Sequence, residues 1–326
     1  MTESATILGA GVAGLCLASE LAGRGVSVTL VDPGDVPGPQ ACSWWAGGML
    51  APFCEAETAE EPVTRLGREA AGWWAAHGVT PAQGGSLVVT LGRDRAELSR
   101  FGRRTEGHET LDRDGIVALE PDLAGQFDRA LYFGAESHIA PRRALAILRE
   151  RLEAGGARFV SDAPADGPVI DCRGLAARDC LPDLRGVRGE MVVLETHDIA
   201  LHRPVRLLHP RFPLYIVPRG DGVFMLGATQ IESGERGPAR VRSVVELLNA
   251  AYALHPAFAE ATLLEIGADA RPAFPDNLPR IRRRGGRIFF NGLFRHGFLL
   301  APALARMTAE LLLEGKTPEV MDEDSG

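Results

Sequence analysis

Residues 6–32 read TILGAGVAGLCLASELAGRGVSVTLVD, and this segment carries the strongest structural pattern of the chain. The short apolar run at residues 6–8 predicts a strand, which a glycine-rich run then breaks. Apolar residues recur at helical spacing from Leu15 until two glycines stop the helix. Residues 26–31 form a β-branched run that ends at Asp32 and predicts a second strand. The segment is therefore predicted to be one βαβ unit.

The glycine spacing inside this unit indicates a dinucleotide site. Gly9 permits a tight turn, Gly11 lets the backbone approach a pyrophosphate, and Gly14 lets helix and strand pack closely. The start of the helix offers free N–H groups to phosphates, and Asp32 can accept hydrogen bonds from ribose hydroxyls. An acid at this position disfavours the 2′-phosphate of NADP, whereas NAD and FAD both remain open. The alternative is a glycine-rich turn with a structural role alone. The residues predicted to contact the dinucleotide are Gly9, Gly11, Val12, Ala13, Gly14 and Asp32.

The composition narrows the class of protein. The 326 residues are 45% hydrophobic and 24% charged, which is typical of a soluble globular protein. A formal net charge of -8 disfavours a general nucleic-acid binder. The five cysteines are scattered without a C-x-x-C pair, so we expect no disulfide framework and a reducing cytoplasm. The histidines lack ligand spacing, and the early uncharged run is too short for a bilayer, so we expect no metal and no membrane.

The rest of the chain continues the helix-and-strand alternation and then becomes rich in strands. Strands are predicted at residues 158–160, 169–172, 191–195, 214–218, 223–227 and 287–291, and the last helix at residues 302–314. The close spacing of the three strands between residues 191 and 227 predicts an antiparallel sheet.

Seven further segments carry a resemblance to a known family. They are SWWAGGMLAP at 43–52, EPDL at 120–123, HIAPR at 138–142, GEM at 189–191, YIVPR at 215–219, GAT at 227–229 and RHGFLLAP at 295–302. In this order they resemble the D-amino-acid oxidase family of flavoproteins, and most closely its glycine oxidases of thiamine biosynthesis. The resemblance spans nearly the whole chain.

This resemblance implies a cofactor and an architecture. The cofactor is FAD, held without a covalent bond because no cysteine lies near residues 295–300. The implied α/β fold has a doubly wound, Rossmann-type FAD-binding domain of residues 1–80, 137–186 and 268–326. A second α+β domain of residues 81–136 and 187–267 carries the antiparallel sheet and binds the substrate.

The implied reaction is the oxidative deamination of glycine or another small amino acid. The α-hydrogen leaves as a hydride to the flavin, and dioxygen reoxidises the flavin to give hydrogen peroxide and an imino acid that would feed thiazole synthesis. The cofactor carries the difficult chemistry, so no side-chain general base has to be found. The expected partners are the amino acid and O2; a homo-oligomer is left open.

Three segments are predicted to contact the flavin. Gly47 and Gly48 would let the backbone lie flat against a planar ring, although a buried turn of small residues is the alternative. The last helix is predicted to start at residues 300–302, with Pro302 in its first turn. The resemblance implies that the N-terminus of this helix points at the flavin, where it would stabilise the negative charge of the reduced ring. The residues predicted to contact FAD in these segments are Gly47, Gly48, Met49, Gly174, Gly297, Phe298, Leu299 and Leu300.

Three residues are predicted to act on the substrate. Arg271 stands between apolar residues, and its planar guanidinium could donate two parallel hydrogen bonds to a carboxylate. Its position matches the family's carboxylate-binding arginine, and a structural ion pair is the alternative. Tyr215 matches the family's active-site tyrosine, although it could be an ordinary strand tyrosine. Arg295 matches an arginine near flavin and substrate, whereas His296 replaces an asparagine of some relatives and receives no predicted role.

Other functions remain open from the sequence. A sarcosine, D-amino-acid or proline-like amine oxidase or dehydrogenase could use the same fold, because one methylene is worth only about 1–3 kcal/mol of discrimination. An FAD module that acts on tRNA is a rival of another class, and the acidic balance of the chain disfavours it. In a non-catalytic flavin protein, an intact carboxylate-binding pair would be hard to explain.

Overall fold

The computed structural model describes residues 2–34, 37–209 and 213–323, in which helices pack around two large sheets. The helices are α1 (Val12–Gly23), α2 (Pro52–Glu55), α3 (Glu61–Gly67), α4 (Ala70–Ala76), α5 (Arg95–Arg104), α6 (Arg113–Leu119), α7 (Pro141–Ala154), α8 (Val241–Leu254) and α9 (Gly297–Glu314). Short 3₁₀ helices cover Cys42–Trp45, Gly92–Asp94, Pro121–Leu123, Gly174–Asp179 and Pro256–Ala259. The strands are β1 (Ser4–Leu8), β2 (Ser27–Val31), β3 (Met49–Leu50), β4 (Ser86–Thr90), β5 (Glu109–Leu111), β6 (Ala130–Phe133), β7 (Ser137–His138), β8 (Arg158–Val160), β9 (Val169–Asp171), β10 (Arg185–Glu195), β11 (Val205–Leu208), β12 (Leu214–Gly220), β13 (Val223–Gly227), β14 (Ile231–Glu232), β15 (Thr262–Ala273), β16 (Arg280–Arg284), β17 (Arg287–Asn291) and β18 (Met321–Glu323).

The first sheet contains the predicted βαβ unit. Its seven strands follow the order β18-β16-β17-β9-β1-β2-β8. Strands β17, β9, β1, β2 and β8 are parallel, and β16 runs antiparallel to β17. The chain leaves β1 towards β2 on one side and places β9 on the other. Open parallel sheets bind ligands at such a switch point, beyond the carboxyl ends of the strands.

Two glycines of the βαβ unit are required by backbone contacts. A Cβ atom on Gly14 would lie 1.9 Å from the carbonyl oxygen of Gly9, so α1 can approach the turn only with glycine there. Gly9 itself adopts φ +92°, a left-handed conformation that favours glycine. A Cβ on Gly9 would also lie 2.8 Å from the carbonyl oxygen of Cys172, at the end of β9. The predicted tight turn and close helix packing are therefore confirmed.

The second sheet has nine strands and is mostly antiparallel. Its order is β14-β10-β13-β12-β11-β4-β6-β5, and β15 pairs with β10. Leu247 and Leu254 of α8 belong to one buried cluster with Val192 and Leu194 of β10, so α8 covers one face. The predicted strands at 191–195, 214–218 and 223–227 lie within β10, β12 and β13. The predicted fold class is thus confirmed, while the domain boundaries stay a prediction.

The last helix begins earlier than the sequence predicts. Helix α9 starts at Gly297, so Pro302 lies inside the helix and not in its first turn. A proline cannot donate to the carbonyl four residues before it, which belongs to Phe298. The indole Nε1 of Trp74, a fully buried residue of α4, donates to that carbonyl at 2.9 Å. The prediction of a start at Pro302 was wrong because this distant side chain replaces the missing donor.

Three further features concern the protein's class. In the described part of the chain, no helix has both the length and the apolar character needed to cross a membrane. All five cysteines are free, and three of them are buried. Within residues 2–34, 37–209 and 213–323, no group of three or more histidine, cysteine or acidic side chains could hold a metal ion.

Candidate active site

A cavity of about 1200 Å³ lies between the carboxyl end of the seven-stranded sheet and one face of the nine-stranded sheet. Ligand pockets usually measure about 300–1,000 Å³, so this cavity has room for an extended ligand and a second, small molecule. Its lining includes the first turn of α1, residues 32–34 after β2, residues 40–49, the turn after β9, and parts of β12, β15 and residues 290–299.

The βαβ turn forms one end of the cavity. A Cβ on Gly11 would approach only the Ser43 hydroxyl, at 3.5 Å, so the backbone is open to the cavity there. The carboxylate of Asp32 accepts from the Ala10 amide at 2.9 Å and from the Gly34 amide at 3.0 Å. These two bonds fix the carboxylate, whose remaining lone pairs can accept from hydroxyl groups.

The groups at this end fit the pyrophosphate of FAD. The N–H groups in the first turn of α1 have no intrahelical acceptor, and the helix dipole favours an anion beside them. The Ser43 Oγ atom is buried next to Gly11 and has no hydrogen-bond partner among the described residues. Buried hydroxyls are nearly always satisfied, so this one fits a polar ligand group at this position. The predicted residues that line the cavity here are Gly9, Gly11, Val12, Ala13 and Asp32.

The segment around Gly47 and Gly48, which is predicted to lie against the flavin, packs tightly against neighbouring parts of the protein. Gly48 adopts φ +71°, and a Cβ there would lie 2.3 Å from the carbonyl oxygen of Ile139. A Cβ on Gly47 would lie 2.9 Å from the ring of Tyr215. The guanidinium of Arg219 donates to the carbonyls of Ile139 and Gly47, at 2.9 and 2.8 Å, and burial lowers its pKa to about 10. Arg219, for which no role was predicted, fixes this segment against β12.

One face of the nine-stranded sheet builds the other end of the cavity. Arg206, Tyr215 and Gly227 are cross-strand neighbours on β11, β12 and β13. A Cβ on Gly227 would lie 2.6 Å from the Tyr215 hydroxyl, so the tyrosine ring leans over that glycine. A Cβ on Gly189 would lie 2.0 Å from Nη2 of Arg271, so the guanidinium lies over Gly189. Two glycines thus provide the space that Tyr215 and Arg271 occupy.

Among the residues that the structure describes, Arg271 has no acidic partner. Its Nη1 donates to the carbonyl of Thr229 at 3.2 Å, and no carboxylate of the described residues lies within ion-pairing distance. Asp269, two residues earlier, is engaged by Arg236 at 2.6 and 2.9 Å. Burial lowers the pKa of Arg271, although the side chain keeps some exposure, which is to the cavity. Its free donors can therefore receive a ligand's carboxylate.

Tyr215 is a second donor at the same end. Burial raises the pKa of its phenol, against the opposing effect of Arg271, so the hydroxyl keeps its proton. No described residue accepts a hydrogen bond from it. Arg271 and Tyr215 were predicted to act together, and both line the cavity, where the two side chains interact electrostatically.

Arg295 does line the cavity, but it is paired with an acid. Its Nε and Nη2 each lie 2.8 Å from Oε2 of Glu55. The other oxygen of Glu55 accepts from Arg206 at 2.7 Å. Burial by itself would raise the pKa of Glu55, but Arg295 and Arg206 hold it well below its usual value. Two guanidinium groups therefore share one carboxylate, which leaves an excess of positive charge.

His296 completes this cluster. Its Nε2 lies 2.9 Å from Oε2 of Glu55. Burial lowers the pKa of the imidazole in spite of the neighbouring carboxylate, so the ring is neutral and donates to Glu55. No role was predicted for His296, and the structure shows that it supports Glu55 at the start of α9.

The remaining predicted residues divide between the cavity and the core. The predicted residues that also line the cavity are Met49, Gly174, Gly297, Phe298 and Leu299. The N-terminus of α9 therefore faces the cavity, where its dipole favours negative charge. Leu300 is fully buried in the core, and Gly14 packs against the turn, so neither reaches the cavity.

Sequence reasoning missed Glu55 and Arg206. Arg206 stands between Val205 and Leu207 in a strand, which is the same pattern that drew attention to Arg271. This pattern of a charged residue between apolar ones could have identified Arg206 from the sequence. Glu55 carries no comparable signal, because only the packing of α2 against β11 and α9 brings it to these arginines.

Comparison with known proteins agrees with this geometry. Residues 4–311 match the family described as FAD dependent oxidoreductase. A protein of Rhizobium etli that carries the name thiamine biosynthesis oxidoreductase ThiO is 55% identical over 321 residues, covering 95% of this chain and 97% of its own. A glycine oxidase of Pseudomonas aeruginosa is 27% identical over 358 residues, covering 98% and 96%. The solved glycine oxidase of Bacillus cereus has a TM-score of 0.81 at 20% identity, covering 97% and 96%. The chain therefore belongs to the D-amino-acid oxidase family of FAD-dependent oxidoreductases, with FAD as its cofactor.

Proposed function

We propose that this oxidoreductase deaminates glycine or another small amino acid, with O2 as the acceptor and hydrogen peroxide and an imino acid as products. The imino acid would serve the thiazole branch of thiamine biosynthesis, in keeping with the name of the relative from Rhizobium etli. The name of the relative from Pseudomonas aeruginosa supports glycine as the substrate. One observation carries the proposal. Arg271 faces the cavity with free donors and no carboxylate partner among the described residues.

Arg271 and Tyr215 would bind and orient the amino acid. A carboxylate that is buried without a partner costs several kcal/mol, which a planar guanidinium offsets through two charge-assisted hydrogen bonds. The protonated hydroxyl of Tyr215 can donate a further bond to the same group. With the carboxylate fixed at this end, the α-carbon is held in one orientation, and such positioning is a large part of catalysis.

The other end of the cavity would hold the cofactor. Gly11, Ser43 and Asp32 suit its pyrophosphate and ribose, and the N-terminus of α9 suits a ring that becomes negative. When bound, FAD supplies the hydride acceptor that the chain itself lacks. We infer that it is held without a covalent bond, and that the segments 1–80, 137–186 and 268–326 form the FAD-binding domain. The remaining segments, 81–136 and 187–267, would form the substrate-binding domain.

The location and partners follow from the same proposal. Five free cysteines suit a reducing compartment, so we place the enzyme in the cytoplasm. The amino acid and O2 would then be its partners, with no nucleic acid among them.

The test is a peroxide assay of the purified holoenzyme on glycine, sarcosine and small D-amino acids. We expect turnover on glycine or another small amine to exceed turnover on D-phenylalanine and D-proline. Faster turnover on either bulky substrate would move the assignment to a D-amino-acid or proline oxidase, and no peroxide from any amine would refute the proposal. Acid precipitation should release the flavin, and a flavin that stays with the pellet would refute the non-covalent attachment.

A further inference from the structure

We propose that Arg206 recognises a second acidic group on the substrate. Among amines larger than glycine, the enzyme would then prefer an amino acid that carries an additional carboxylate over a neutral one of the same size. This inference rests on the proposed function, because it assumes that an amino acid binds with its α-carboxylate at Arg271.

The first argument is the charge balance of the cavity wall. Three of its six arginines each have a carboxylate of their own: Arg173 with Asp171 and Asp179, Arg236 with Asp269, and Arg242 with Glu246. The other three are Arg206, Arg271 and Arg295, and within the described residues they have only the carboxylate of Glu55 to share. At this end of the cavity, three positive groups against the one negative group of Glu55 leave two positive charges, while Asp32 lies at the opposite end, beside the βαβ turn. The α-carboxylate of a simple amino acid neutralises only one of them.

The second argument is the bonding of Arg206 itself. Its Nη2 donates to Glu55 at 2.7 Å, whereas its Nε has no acceptor among the described residues. The side chain retains 15% exposure and lines the cavity. Glu136, another carboxyl near Arg206, forms no ion pair with it in the described part of the chain, and burial raises the pKa of Glu136. A guanidinium has five donors, so Arg206 has bonding capacity left for a ligand.

The third argument is the position of Arg206 relative to Arg271. Arg206 and Tyr215 are direct cross-strand neighbours, so their side chains stand on the same face of the sheet. The tyrosine ring leans away from Arg206, over Gly227, and the guanidinium of Arg271 lies beyond it, over Gly189. The two arginines therefore flank Tyr215 on opposite sides. A substrate bound at Arg271 extends past Tyr215 towards Arg206.

Arg295 is less suited to this role. It precedes α9, whose N-terminus faces the cavity, and both donors that reach Glu55 share the same carboxylate oxygen. Its Nη2 also donates to Thr58 at 2.6 Å. Arg206 stands on the sheet that carries Tyr215, on the side where the substrate is proposed to bind. The substrate class indicated is therefore an amino acid with a second carboxylate on its nitrogen substituent or its side chain.

The experiment compares two substrates of equal size. Iminodiacetate carries a second carboxylate, and its monoamide, N-(carbamoylmethyl)glycine, replaces that carboxylate with a neutral group. We expect kcat/KM of the holoenzyme to favour iminodiacetate by about tenfold or more, as one charge-assisted hydrogen bond provides. Arg206→Gln should reduce this ratio to near one, and Arg206→Lys, which keeps the charge, should retain most of it. The flavin spectrum of each variant reports whether the site is intact.

A second arm does not depend on turnover. Binding of glutarate and of its monoamide to the holoenzyme, followed by the change in flavin absorbance, should show the same preference and the same loss in Arg206→Gln. If no amine is oxidised, the proposed function fails, and this binding ratio alone decides on Arg206. A ratio near one in the unmodified protein overturns the inference, whether or not the variants fold. A ratio that survives Arg206→Gln with a normal flavin spectrum overturns it as well.

Discussion

Replacing Arg271 with alanine should lower kcat/KM for glycine by about one to two decades and leave flavin binding intact. Among the described residues, the Thr229 carbonyl is the only acceptor of its guanidinium, so Nε and Nη2 are available to bond a carboxylate. Each charge-assisted hydrogen bond contributes about 1.5–3 kcal/mol, and about 1.4 kcal/mol corresponds to a factor of ten. The loss of one bond therefore gives one to two decades, and the loss of both gives more.

Lysine should not restore the activity. Its ammonium group is a point charge and cannot donate two parallel, coplanar hydrogen bonds to a carboxylate. Arg271→Lys should therefore keep the charge at this end of the cavity and still lose most of the catalytic efficiency. The comparison separates geometry from charge, which Arg271→Ala alone does not.

The assay is steady-state peroxide production on glycine, with the flavin spectrum and flavin content measured for each variant. Arg287→Ala is a matched control, because Arg287 is an exposed arginine on β17 that does not line the cavity. Oxidation of methylamine, which has no carboxylate, should suffer much less from Arg271→Ala than oxidation of glycine. If Arg271→Ala keeps near-parental kcat/KM with a normal spectrum, the carboxylate is bound elsewhere and the reasoning is wrong.

Three further predictions concern stability and cofactor retention. Trp74→Phe should destabilise the protein by about 1–3 kcal/mol, because the Phe298 carbonyl loses its donor; an unchanged midpoint of thermal unfolding would contradict this. Gly14→Ala should reduce the flavin-to-protein ratio, because its Cβ would lie 1.9 Å from a backbone oxygen, whereas Gly23→Ala in the same helix meets nothing within 4 Å and should retain the flavin. Burial lowers the pKa of His138 from 6.5 to about 4, so the fold favours the neutral ring while the unfolded chain takes up a proton near pH 6.5. Stability should therefore fall as the pH drops from 6.5 to 4, by at most about 1.4 kcal/mol per pH unit from this group, and denaturant titrations of His138→Asn should show a smaller decline.

The parts of the fold that could be predicted depend on neighbours in the sequence. The turn at Gly9 and the packing at Gly14 involve residues a few positions apart, so the glycine spacing was sufficient to predict them. The start of α9 could not be predicted in the same way. It depends on a hydrogen bond from Trp74, which is 224 residues from Phe298 along the chain. Local rules for proline place the helix boundary too late when such a donor is supplied from another element.

The same distinction applies to the site. Arg271 could be identified because a charged residue stood among apolar ones, and the family resemblance gave it a role. The ion pairs of Glu55 with Arg206 and Arg295 join residues that are 151 and 240 positions apart, so no local sequence pattern predicts them. The glycines at 47 and 48 were predicted to lie against a ring. Their tightest contacts within the protein are with Tyr215 and Ile139, which the sequence could not show.

The carboxylate of Glu55 also connects the nine-stranded sheet to the helices beside the seven-stranded sheet. Arg206 belongs to the nine-stranded sheet, whereas Arg295 leads into α9, which packs on α1 beside the other sheet. Moving the sheets apart would separate buried charges, and breaking such a pair costs on the order of 3–5 kcal/mol. The gap between the sheets is therefore held at a set width. A ligand must therefore fit a gap of that width. A ligand that is too thick is excluded by the distance between the sheets, whatever polar groups it carries.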